Sequence, residues 1–178
     1  MSYLLPLTSE HRVSVRSLEN IYAAHGHREE FVGDVFRLFD LLDHENLWQP
    51  LWLLKACARD NRLSEDRVAQ LVGHLDGFTH WISRLTLCQL LAQTGCPAAL
   101  RDDVYPVLAD CFSDRRVIIR AWALSALIRF DEPRFQKPVA TMLRSAQKDP
   151  NKSMQARLRK LVPAKRKAAH TRSASRNS

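Results

Sequence analysis

Apolar residues recur at three- and four-residue intervals along almost the whole chain, the spacing of one buried face of an α-helix. Between Arg28 and Leu42 the stripe is Phe31, Val32, Val35, Phe36, Phe39 and Leu42. An earlier segment carries Leu18, Ile21 and Tyr22; Ser9 can cap it, and it runs to about Ala24. His25-Gly26-His27 ends that segment, since glycine is common just past a last helical turn. Asn46 is the expected cap of a helix to about Arg59 with Trp48, Leu51, Trp52, Leu54 and Ala56. Its Pro50 falls near the first turn, where a missing N–H costs least. Ser64 opens a helix with Val68, Leu71, Val72 and Leu75, and Gly77 separates it from one over about Thr79 to Gln93. Further helices are expected over about Ala98 to Phe112, Arg115 to Phe130 and Phe135 to Ala146. A last one is opened by Asp149-Pro150-Asn151 and reaches about Val162. The pattern predicts an all-α fold.

The helices also repeat as pairs. Counting from Trp48, Trp81, Val117 and Lys152, where the second helix of each pair begins, the steps are 33, 36 and 35 residues. A period of that size indicates stacked supersecondary units. The best-kept unit is DVYPVLADCFSDRRVIIRAWALSALIRF, Asp103 to Phe130. With Pro106 in its first helix, Asp114 at the turn, and Val117, Arg120 and Ala121 opening its second, it resembles a HEAT repeat. Phe135 to Leu161 is similar through Pro138, Asp149 and Ala156, with Gln155 where the arginine would stand. The unit around Asp76, Trp81 and Arg84 keeps the aspartate and arginine, and the one around Trp48 keeps little beyond the helix pair. The resemblance implies a right-handed α-solenoid of about four helix pairs with an extra N-terminal helix. It implies that first helices line the convex side and second helices the concave side. The expected organisation is a helical repeat domain over 1–162 and a disordered basic tail over 163–178. The tail, PAKRKAAHTRSASRNS, has no large apolar residue to offset the entropy of ordering it.

Composition narrows the class. Five glycines and 46% hydrophobic residues in 178 argue against both disorder and a turn-rich all-β fold. No stretch has the roughly 18 uninterrupted apolar residues of a membrane span, so no membrane partner is expected. MSYLLPLTSEHR has no basic region before its short apolar stretch and makes a poor secretory signal. Cys57, Cys88, Cys96 and Cys111 have no metal-ligand spacing and read as reduced, structural thiols. Together these place the chain in the cytoplasm as an expectation.

Charge supplies the functional clue. Residues 132–178 hold 13 Lys and Arg against 2 Asp and Glu, so the positive charge gathers at one end. The second-helix windows 47–59, 78–93, 116–130 and 151–162 cover 56 residues. At the chain's overall density, 19 carboxylates in 178 residues, they would hold about six; they hold none, against ten basic residues. Acids sit instead on first helices and turns, among them Glu29, Glu30, Asp34 and Asp40. A basic concave face would concentrate an acidic partner. The candidate binding residues are Arg84, Arg116, Arg120, Arg157, Arg159 and Lys160, with Trp48 and Trp81 near second-helix starts. The structural alternative for part of this set is a ladder in which Asp114 pairs with Arg120 and Asp76 with Arg84. Trp52 and Trp122, set among leucine and alanine, read as core.

His25 and His27 lack a third ligand nearby, so no metal is expected, and no cofactor motif appears. Certain HEAT-like DNA glycosylases place an aspartate among tryptophans on the concave face; these second helices contain no carboxylate, so that activity is not expected. The expected function is a non-enzymatic scaffold or adaptor gripping an acidic protein or peptide. The alternative is a nucleic-acid-binding module whose second helices and tail contact phosphates.

Overall fold

The computed structural model describes residues 2–9 and 13–161; the tail, and with it the expectation of disorder there, lies outside the described residues. Every regular element among the described residues is helical. The elements are α1 (Leu5–Ser9), α2 (Val15–His25), α3 (Phe31–Arg37), α4 (Trp48–Arg59), α5 (Glu65–Val72), α6 (Trp81–Thr94), α7 (Arg101–Phe112), α8 (Val117–Leu127), α9 (Pro133–Gln147) and α10 (152–161). Short 3-10 turns precede α1 and α7, follow α3 and separate α5 from α6.

The expected all-α fold is present, with local corrections. Ser9 does not cap the first long helix: it ends α1, and Ser14 caps α2 by accepting from the Ser17 N–H at 3.0 Å. The segment before Ser9 is itself helical because Leu4 and Leu7 are drawn into the core. Tyr3 anchors it, donating to Asp34 at 2.7 Å and stacking on His25 at 4.5 Å. Asn46 is not the N-cap of α4; that position falls to Leu47, and the Asn46 amide oxygen accepts from the Gln49 side chain instead. Arg28 to Leu42 is only partly α-helix, since α3 tightens into a 3-10 turn at Leu38–Asp40. Ser64 does cap α5, accepting from the Arg67 N–H at 3.4 Å. Proline begins α9 at Pro133, where the first-turn N–H would have no helical partner anyway.

Packing is organised around one row of helices. α6 lies against α4 on one side and α8 on the other, and α7 packs on α8. Leu51, Leu53 and Leu54 of α4, Leu87, Leu90 and Leu91 of α6, and Ala123 and Leu127 of α8 share one continuous core. A second cluster joins Ala121 and Leu124 of α8 to Ala146 of α9 and to Met154 and Leu158, placing α10 beside α8. Truncating a fully buried leucine in such a row costs about 2–5 kcal/mol, because the space left cannot collapse completely. All four cysteines are free and buried in these contacts.

The end of α6 is held by one residue of the next pair. Gly95 takes φ 84°, a left-handed conformation that favours glycine. Arg129 packs over it and donates to the Ala92 and Gln93 carbonyls at 3.1 and 3.3 Å, which α6 itself leaves unpaired.

Candidate binding groove

The turns between paired helices explain why aspartate and arginine recur. Asp114 accepts the N–H of Arg116 at 2.8 Å, and Asp149 accepts that of Asn151 at 2.9 Å. Each carboxylate thus closes a turn onto the N–H two residues on and starts the second helix. Each also receives an arginine from the preceding pair. Arg84 reaches Asp110 at 2.6 Å and Asp114 at 3.8 Å; Arg120 reaches Asp149 at 2.7 Å. Arg120 additionally donates to the Asp114 and Arg115 carbonyls at 3.0 and 3.3 Å. Gln155 stands at the equivalent place in the last pair and caps the Asp149 carbonyl at 2.7 Å. So glutamine keeps the carbonyl-capping half of the arginine's work and drops the charge.

The ladder therefore exists with different partners from those expected. Arg120 bonds only the backbone of Asp114, and Arg84 pairs with Asp110 and Asp114, not Asp76. The reason is geometric: each arginine spans forward to the next turn, so the seam ties one helix pair to its successor.

A different surface opens further along the same helices. Trp52, Lys55 and Arg59 of α4, Gln89 and Gln93 of α6, Trp122 of α8 and Arg157 of α10 line a groove of about 530 Å³ floored by Ala56 and Ala92. Its size is within the range of about 300–1,000 Å³ in which ligand sites fall. Among the described residues no carboxylate lines it. Arg157 lies flat on Trp122, its guanidinium carbon 3.4 Å from the ring centre, and its Nε donates to Ser125 at 2.6 Å. Ser125 in turn donates to the Ala121 carbonyl at 2.8 Å, which fixes the hydroxyl. Lys55 donates to the Gln89 side-chain oxygen at 2.7 Å. Burial, and then the charge of Arg59, push the Lys55 ammonium below its ordinary pKa. Burial likewise lowers that of Arg157. Among the described residues neither has a carboxylate within ion-pairing distance. Arg59, by contrast, lies 3.2 Å from Asp60.

The candidates read from the sequence divide accordingly. Arg84 and Arg120 are occupied in the seam. Arg116 lies 3.8 Å from Asp114 and over the Trp81 ring at 5.0 Å. Trp81 is exposed beside it, and Trp48 is half-buried against the core; neither lines the groove. Arg157 is in the groove, while Arg159 and Lys160 are exposed on α10. Trp52 and Trp122 do touch the core, yet both are half-buried and present surface to the groove, a role that their leucine-rich surroundings hid. Lys55 was visible only as one of ten basic residues; its isolation from carboxylates required the fold.

Among the described residues no helix is long and apolar enough to cross a membrane. No protein-family model matches the sequence, and no curated protein or solved structure matches it either.

Proposed function

We propose that this chain is a non-enzymatic HEAT-like scaffold or adaptor, a right-handed α-solenoid of about four helix pairs, that binds an acidic protein or peptide. The binding face is the row formed by α4, α6, α8 and α10. One observation carries this reading: half-buried cations on that row, Lys55 and Arg157, have no counter-charge among the described residues. Taking charge out of water is costly unless it is paired, and an acidic partner supplies the missing half. The three-step repeat and the seam from Arg84 and Arg120 to the following turns support the solenoid.

Nucleic acid is the second reading, favoured by two indoles in the groove on which bases would stack. Against it, Arg84 and Arg120 are committed to carboxylates, which removes two of the cations needed to track phosphates.

The test is charge reversal read by binding of poly-glutamate. Arg157→Glu and Lys160→Glu are expected to weaken it strongly, and Glu29→Lys and Asp40→Lys to leave it unchanged or slightly tighter. Equal losses from both sets would refute a single basic binding face.

A further inference from the structure

Resting on the reading of this chain as a module for acidic peptides, we infer that the groove lined by Trp52 and Trp122 is a specificity subsite. It takes an aromatic side chain of the partner, with a neighbouring partner carboxylate held by Arg157 and Lys55.

The groove offers three kinds of surface that such a segment uses together. Trp52 and Trp122 line the groove together with Ala56 and Ala92, so a planar ring gains apolar contact area and an edge or offset stack against an indole. Arg157 is already oriented: Nε is tied to Ser125 and the guanidinium lies on Trp122. Its two Nη groups, with no partner among the described residues, are the pair that grips a carboxylate end-on. A preoriented fork loses little entropy on binding. Lys55 is similarly held, by Gln89. Finally, the side-chain amides of Gln89 and Gln93 can both donate to and accept from an extended peptide backbone.

Charge decides between a peptide and a polynucleotide. A phosphate chain needs a track of free cations at regular intervals. Among the described residues the uncompensated cations lining the groove are Lys55 and Arg157, while those of the seam carry their own carboxylates. That arrangement suits one or two carboxylates beside an aromatic anchor, and it suits a continuous polyanion poorly.

The experiment uses the full chain and tryptophan fluorescence, with binding confirmed by calorimetry. The probes are a heptapeptide of alternating Glu and Asp with a central tyrosine, the same peptide with alanine for tyrosine, and oligothymidylate. The tyrosine peptide is expected to bind roughly threefold to tenfold more tightly than the alanine one, the worth of one aromatic contact. Arg157→Gln and, independently, Lys55→Gln are expected to weaken both peptides, because both carry the carboxylates, and Trp52→Ala to erase the difference between them, while thermal melts report whether each variant is folded. Equal binding of both peptides would overturn the aromatic subsite and leave the acidic-partner reading standing. No binding of either peptide would remove both. Tighter binding of oligothymidylate that Arg157→Gln abolishes would replace the peptide with a single-stranded nucleic acid.

Discussion

Arg120 and Arg157 stand on adjacent helices, carry the same charge and are both partly buried, yet their surroundings are opposite. Arg120 is enclosed by acceptors: the Asp149 carboxylate and two turn carbonyls. Arg157 has one hydroxyl and the face of an indole, and no carboxylate. The first arrangement consumes the cation in holding one helix pair to the next. The second leaves the charge without a carboxylate among the described residues, at some cost in desolvation. The lesson is that the basic residues of these helices separate into seam and groove by their partners, and their positions in the repeat do not distinguish them.

The largest expected effect in breaking this comparison lies in the seam. Arg120→Ala leaves two turn carbonyls without their side-chain donor and the Asp149 carboxylate with the Asn151 N–H but no cation, and should lower stability by about 1–3 kcal/mol in denaturant melts. Arg120→Gln should lose less than half of that, because Gln155 already performs the capping with an amide in the last pair. Equal losses in the two variants would mean that the ion pair dominates over the carbonyl caps.

Acid should act on the same seam. The Arg120 hydrogen bond, followed by that of the Asn151 N–H, holds the Asp149 carboxyl below its ordinary range, and the Arg101 hydrogen bond does so for Asp131. A carboxyl with a lower pKa folded than unfolded contributes stability that is complete above the unfolded value, about 3.9, and is lost as pH falls through the folded one. The melting temperature should therefore hold level near neutrality and fall below about pH 4, with a shallower fall in Arg120→Ala. Identical acid limbs in the two proteins would show that this pair contributes nothing to them.

The smallest expected effect on stability is in the groove. Lys55→Met removes a half-buried cation that has no counter-charge among the described residues and keeps most of the unbranched apolar stem. It should change stability by no more than about 0.5 kcal/mol, with stabilisation as the favoured sign, while weakening the acidic heptapeptide. A loss as large as that of Arg120→Ala would erase the distinction between seam and groove.

Much of the fold was legible because it depends on local periodicity. Stripes at three- and four-residue spacing located every long helix, and Ser64 and Gly26 marked boundaries through chemistry contained in a few residues. Where a boundary depended on distant packing, local signals failed. Leu4 and Leu7 turn residues before Ser9 into helix because the core accepts them, and Ser14 then takes over the capping. Among the binding candidates, Arg157 was legible from a helix free of carboxylates. Trp52 and Trp122 were not, because a side chain can touch the core with one edge and line a groove with another.

The sequence by itself determined that the chain is helical, that its helices recur in pairs, that aspartates sit at the turns, and that the second helices carry cations without acids. These follow from spacing and composition, which are properties of the chain read in order. Which cation faces which acid was decided only by the tertiary structure. Arg84 reaches forward 26 residues to Asp110 near the end of α7 and Arg120 29 residues to Asp149 at the next turn, while Lys55, Trp122 and Arg157 come from three different helices to one groove. Coulombic and stacking interactions act over a few ångströms of space, and a chain position carries no such distance until the helices are stacked.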